Sequence, residues 1–272
     1  GLYHKDLFPV FYEHVRSSYY LQILKNNTPI FDDFAIEHDT VSIIHTWKKT
    51  LKYNYFSDTT TIALPPNVIS FPKRKSNTPY IANTYNSDTL ICKRGYYEFF
   101  IPNDSSKYVL YVGDSLFPKL KYPYQLLEPM KYLLPQLNAD SLATSKLGAK
   151  KEVDKLWLSF TNNNTTKARE LIRVYFNRVQ LANIFFTSYK EGWKTDKGMI
   201  YIVLGLPTYI NFENNKETWI YKSTHNKQSV EFIFTQNCYN HKNDMILDRK
   251  SQYYSLWNKA IQTWKSGEVF VY

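Results

Sequence analysis

The amino-acid sequence predicts an α+β protein in two parts. A β-rich, sandwich-like N-terminal domain covers residues 1–117. Residues 118–272 hold a helical lead-in, a helix pair, a short antiparallel sheet and a C-terminal helix. Three observations carry that prediction. Up to Phe117 the apolar text comes in short β-branched and aromatic runs separated by turn residues, which is strand patterning. From Ala149 to Phe186 apolar residues recur every three or four positions, which is helix patterning. Beyond Gly205 the text returns to short aromatic runs before one last helical stretch. A chain of 272 residues buries roughly three quarters of its unfolded surface, so it needs no disulfide or metal for stability.

Taken in order, residues from Asp6 to Val15 fit a short helix. Strands are expected at Tyr19–Leu24, Thr40–Ile44, Tyr96–Ile101 and Tyr108–Val112, with turns at Lys25–Pro29 and Asn103–Ser106. Strands at that spacing make a small sandwich or barrel. Between them, Ala63-Leu64-Pro65-Pro66 and Phe71-Pro72 are held extended by proline geometry, and a rigid crossing over the domain surface is expected there. Pro118, Pro123, Pro129 and Pro135 then break the chain every five or six residues, a pattern of short helices with proline at their starts. The domain boundary is placed here.

In the helical part, Val153, Leu156, Trp157 and Phe160 fall at i, i+3, i+4 and i+7. The Asn162–Thr166 run ends that helix and caps the next, whose apolar face runs from Ala168 to Phe186. After residue 205, Thr218–Tyr221 and Val230–Phe234 make a hairpin with a turn at Asn226-Lys227, and Met245–Leu247 makes a third strand. The final helix places Tyr253, Trp257, Ala260, Ile261 and Trp264 on one face, with Gly267 at its end.

At the seam between the helices and the C-terminal strands stands Glu191-Gly192-Trp193-Lys194-Thr195-Asp196-Lys197-Gly198. Gly192 permits a turn that a Cβ would resist. Trp193 brings the largest apolar side chain to lock that turn against a core. Thr195-Asp196 reads as a helix N-cap, and Gly205 with Pro207 as the stop of a helix through Met199–Leu204. The stretch resembles the signature of the GWxTD domain family. The resemblance extends to the Ala-x-Pro-Pro segment at Ala63–Pro66, to Trp157 and Ala168-Arg169-Glu170, and to Asp248-Arg249 with Trp257, Trp264 and Gly267. It brings no activity with it. It implies an exported bacterial envelope protein of the periplasm or outer membrane, membrane-bound only through a lipid anchor of the full-length protein. Within the resemblance Gly192, Trp193, Thr195, Asp196, Gly205, Pro207, Trp219, Asp248, Arg249 and Trp257 are expected to be structural.

The formal charge of +10 steers the molecule toward anionic surfaces. Nucleic acid is not the expected partner. The basic clusters are Lys73-Arg74-Lys75 in a proline-flanked loop, and Lys146, Lys150, Lys151 and Lys155 interleaved with Glu152 and Asp154; the second reads as a solvated face. Cys92 and Cys238 fit either a disulfide or two buried thiols, and buried thiols are the reading taken. No run of about 18 apolar residues is present, and the text does not open as a signal peptide.

Chemistry is sparse. Cys238-x-x-His241, with His225 and Asp244 nearby, is a poor match to the paired ligands zinc needs. No phosphate loop or nucleophile elbow occurs, and neither metal nor cofactor is expected. Asp196 beside Trp193 is the one acid placed to act as a general acid. As a charge at a helix N-terminus it has a structural use as well, which is the reading preferred. Asp248-Arg249 is read as an ion pair orienting the last helix. The function expected is non-enzymatic contact with an envelope protein or an anionic polymer. The alternative is a glycan-binding or glycan-active protein with an aromatic-lined cleft between the domains.

Overall fold

The computed structural model describes residues 21–30, 34–45, 51–57, 61–69, 81–84, 89–102, 107–134, 146–213, 215–222, 229–236 and 245–272. Several expectations lie outside the described residues: the helix at 6–15, Tyr19-Tyr20, Phe71-Pro72, the basic triplet at 73–75, and the turns at 103–106 and 226–227. So do Pro135, Cys238, His225, His241 and Asp244.

The fold is α+β. Two sheets form the N-terminal part. The first has the order β2-β1-β4-β7, built from β1 (Leu21–Lys25), β2 (Thr28–Ile30), β4 (Thr40–His45) and β7 (Leu90–Ile91). Asn26 and Asn27 both take positive φ in the β1–β2 turn, the geometry a two-residue hairpin requires and asparagine tolerates. The second sheet has the order β3-β9-β8-β5-β6, from β3 (Phe34–Ile36), β5 (Lys52–Phe56), β6 (Ile81–Thr84), β8 (Gly95–Phe100) and β9 (Lys107–Gly113). Here β3 lies parallel to β9 and the other pairs are antiparallel.

The alternation of side chains across a strand divides β8 and β9 between two cores. Tyr97, Phe99, Leu110 and Val112 face Ile23, Val41 and Ile43 of the first sheet. Tyr96, Val109 and Tyr111 gather with Phe56 and Phe117 on the opposite face. Burial on both faces explains why these two strands read as near-continuous apolar text. Cys92 is a free thiol within the first of these cores, and burial, with Asp39 nearby, pushes its pKa up to about 12.

The remainder of the chain surrounds one larger core. Helix α1 (Pro123–Leu127) and a 3-10 turn at Pro129–Tyr132 both begin with proline, as expected. Helices α2 (Lys146–Phe160) and α3 (Thr165–Phe186) are joined by a tight corner in which Asn162 and Asn163 take positive φ. Asn164 caps α3 by accepting from the Lys167 N–H at 3.0 Å. A 3-10 turn (Gly192–Lys194) leads into α4 (Asp196–Leu204). The sheet that follows is four-stranded, β10-β11-β12-β13, from Tyr209–Glu213, Lys216–Lys222, Ser229–Gln236 and Met245–Leu247. It closes with helix α5 (Tyr253–Lys265).

Trp219, Tyr221, Phe232 and Phe234 form the sheet's inner face. Phe232 stacks on Tyr253 of α5 with centroids 4.4 Å apart, and Trp219 meets Phe186 of α3 at 5.5 Å. Among the described residues no helix is long and apolar enough to cross a membrane.

Candidate functional site

The site grows from the last turns of α3. Asn183 is fully buried there, and its amide serves two partners: Oδ1 accepts from the Trp193 N–H at 3.1 Å and Nδ2 donates to the Pro118 carbonyl at 2.9 Å. One turn on, the Thr187 hydroxyl donates to the Asn183 carbonyl and accepts from the Gly192 N–H at 3.1 Å. Gly192 sits so close to α3 that a Cβ would stand 1.9 Å from the Ala182 carbonyl oxygen. The glycine is therefore required by contact with backbone atoms, which cannot swing aside.

Trp193 is 1% exposed. Its indole Nε1 donates to Glu191, while its carbonyl accepts from the Tyr132 hydroxyl at 2.8 Å. Glu191 also accepts from Tyr111 of β9 at 3.2 Å and pairs with Lys194 at 3.5 Å. Thr195 caps α4: its hydroxyl accepts from the Gly198 N–H at 3.0 Å and donates to the Gly192 carbonyl at 2.7 Å.

Asp196 joins three segments of the chain. Arg249 grips it with both terminal nitrogens, at 2.6 and 3.0 Å, and the Leu247 N–H donates to the same carboxylate at 2.8 Å. The guanidinium continues to the Leu64 carbonyl at 3.1 Å, and the Ala63 N–H donates to the Lys194 carbonyl at 3.0 Å. Ala63–Pro66 is thus an extended strap across the motif, fastened at both sides. Adjacency in the sequence suggests that Arg249 pairs with its neighbour Asp248. Arg249 instead reaches Asp196, and Asp248 pairs with Lys250 at 2.9 Å, because the chain entering α5 points the arginine inward and the aspartate to solvent.

The other expected residues lie around this junction. Trp219 is buried and donates to Glu217 at 2.6 Å, and Glu217 pairs with Lys197 at 2.6 Å. Gly205 ends α4 with φ at 85°, and its carbonyl accepts from Tyr221 at 2.9 Å. Pro207 is half-buried where the chain turns toward β10. Trp257 is buried in the core face of α5. Two of these sites share a pattern: Glu191-x-Trp193 and Glu217-x-Trp219 each set a carboxylate against an indole N–H and neutralise it with a lysine. That repetition was readable in the text.

Asn183 and Arg178 lie in a stretch, Arg178-Val179 to Ala182-Asn183, that shares the family resemblance, but neither is among the residues expected at the site. Arg178 donates to the Ile202 and Phe270 carbonyls, both at 3.1 Å, and lies 5.3 Å from the Trp264 ring centroid. Its pKa is lowered by burial. The Ile202 carbonyl at the C-terminal end of α4 and the Phe270 carbonyl of the C-terminal tail compensate that cation, with which no carboxylate pairs among the described residues. Burial likewise drives the Tyr132 and Tyr221 hydroxyls well above 10.

Three N–H donor contacts already converge on the Asp196 carboxylate, Trp193 is enclosed, and among the described residues no group of His, Cys, Asp and Glu is placed to hold a metal.

Such a molecule is an α+β protein whose helix pair and sheet are locked together through a Gly-Trp-x-Thr-Asp turn. The family model for the GWxTD domain matches residues 95–266, well over half the chain, and the chain belongs to that family. The matched region begins at Gly95, so it takes in the β8–β9 pair as well as the helices and the last sheet. No curated protein and no solved structure matches the chain.

Proposed function

We propose that this chain is a non-catalytic protein of the bacterial cell envelope. It is exported to the periplasm or outer membrane, attached there by a lipid anchor of the full-length protein, and works through contact with an envelope protein or an anionic polymer. One observation carries the non-catalytic part: Asp196, the one acid the motif offers, spends both oxygens on Arg249 and on the Leu247 N–H. A general acid needs an oxygen directed at substrate, whereas this carboxylate is directed at its own scaffold. The net charge of +10 favours an acidic partner, and the family resemblance supports the location.

Fractionation of the host followed by cross-linked affinity purification of the tagged full-length protein tests both parts. Recovery from the envelope fraction with one reproducible partner is expected. Recovery from the cytosol overturns the location. An Asp196→Asn variant that stays folded yet abolishes a measurable turnover overturns the non-catalytic reading.

A further inference from the structure

The same helix that braces the motif also forms one wall of a groove. Arg173, Phe176, Asn177 and Gln180 recur at the spacing that places them along one face of α3. Against them lies the 116–121 segment, and the groove between has a volume of about 360 Å³, within the range of small-ligand sites. Its apolar lining is Leu116, Leu120 and Phe176, all half-buried, and its polar lining includes the Asn177 and Gln180 amides. Lys119, Lys121 and Arg173 supply three exposed cations. No carboxylate lines the groove, and none of the three makes an ion pair with any described residue.

The segment opposite α3 is held in place. The Pro118 carbonyl is tied to Asn183, the Asp114 carboxylate accepts from the Leu116 N–H at 2.9 Å and from the Gln125 amide Nε2 at 2.8 Å, and the Gln125 side-chain oxygen Oε1 accepts from the Lys121 and Tyr122 N–H groups. Directly after Lys121, Tyr122 and Tyr124 stack with planes 7° apart and centroids 5.7 Å apart, 47% and 37% exposed. Two solvent-facing rings held parallel, the first next in the chain to Lys121, offer apolar ring faces at little conformational cost.

We propose that this groove binds an acidic polysaccharide, with Lys119, Lys121 and Arg173 taking its carboxylates, Asn177 and Gln180 its hydroxyls, and the Tyr122–Tyr124 pair the face of a sugar ring. The combination favours a glycan over other polyanions. A nucleic-acid track needs cations repeating along a backbone, and here they flank one groove. A bilayer needs apolar side chains projecting outward, and here the apolar residues line the groove while the exposed rings carry hydroxyls. The proposal names the polymer left open in the envelope reading and in that respect rests on it.

The test is calorimetric titration of the purified chain with an oligogalacturonide. A neutral oligosaccharide of equal length, an oligonucleotide, an acidic peptide and vesicles of an anionic phospholipid are compared at the same ionic strength. Binding of the oligogalacturonide is expected to be tightest. A Lys119→Gln, Lys121→Gln, Arg173→Gln triple variant is expected to weaken it at least tenfold with an unchanged melting temperature. A control variant, Lys150→Gln with Lys155→Gln, removes two cations from the α2 face, where Lys150 pairs with Asp154, and is expected to leave binding unchanged. Tyr122→Ala is expected to weaken acidic and neutral sugars alike. Equal loss in the triple and control variants means charge alone and overturns the site. Failure of the acidic sugar to bind, or tighter binding of the oligonucleotide, peptide or vesicles, also overturns it. The titration is done away from the cell, so its failure leaves the envelope location untouched, and a cytosolic location leaves the titration untouched.

Discussion

Two polar clusters lie along α3, at Asn183 and at Arg173, ten residues or about 15 Å apart along the axis. At the first, Asn183 and Asp196 are buried, and their side-chain oxygens and amide pair with groups from other segments, with the Arg249 Nε left buried without a partner. At the second, the cations are exposed and face no carboxylate. The difference separates architecture from availability. A buried polar group left unpaired costs about 1–3 kcal/mol, so pairing at Asn183 stabilises the fold, whereas water satisfies the Arg173 cluster at no such cost until a ligand displaces it. The two are joined through one hydrogen bond, from Asn183 to the Pro118 carbonyl, so the signature turn helps to fix the wall of the groove.

The largest expected effect breaks the first cluster. Arg249→Ala removes the partner of a carboxylate only 9% exposed and is expected to cost about 3–5 kcal/mol, the range for leaving a buried charge unpaired. Urea unfolding measures it. A loss below about 1 kcal/mol would place Asp196 in contact with solvent and undo the contrast between the clusters. The Asp196→Asn, Arg249→Met double variant should recover part of the loss, since a pair removed together leaves no orphaned charge. Gly192→Ala comes next, at about 3 kcal/mol, because the added Cβ meets the Ala182 carbonyl at 1.9 Å and neither backbone segment can yield alone.

Asn183→Ala sharpens the comparison by touching both clusters. It strands the buried Trp193 N–H, at a cost of about 1–3 kcal/mol, and releases the half-buried Pro118 carbonyl. Amide hydrogen exchange should then rise in residues 116–121 as well as at the motif. Faster exchange at the motif alone would mean that the groove wall does not depend on it.

These three sites differ in how far the sequence announced them. Gly192, Thr195 and Gly205 were legible because turn and cap chemistry is local. The long helices and the β11–β12 pair were legible because their periods are. The Asp196–Arg249 pair was not, since 53 positions separate its members and only the fold brings them together; adjacency suggested Asp248 instead. Asn183 was hidden for a related reason: an amide inside an apolar helical face looks like an interruption until its partners on two other segments are seen. Strand β10 went unread because Tyr209–Glu213 lies at a sheet edge, where half-exposed residues dilute the pattern. The strands β2, β3, β5, β6 and β7 are two to five residues long, too short for periodicity to register.

Alkali gives a smaller, graded effect. Tyr253 is raised to about 12, and Tyr132 and Tyr221 lie well above 10, chiefly through burial. Below pH 10 the phenols are protonated whether the chain is folded or not. Above pH 10 the unfolded chain releases protons that the folded one keeps, so the unfolded state binds fewer protons and stability falls as pH rises. The melting temperature should therefore decline between pH 10 and 12, with phenolate absorbance appearing at unfolding. A flat profile across that interval would mean that these hydroxyls already titrate in the native state.

The smallest expected effect bears most directly on the contrast. Replacing Lys119, Lys121 and Arg173 by glutamine should change unfolding free energy by no more than about 0.5 kcal/mol, as for surface positions without partners. Removing three like charges from a chain of formal charge +10 lowers self-repulsion, so any shift should be toward stability and should shrink as salt screens it. A loss above 1 kcal/mol would show that these cations help to hold the fold, which would make the second cluster architecture like the first.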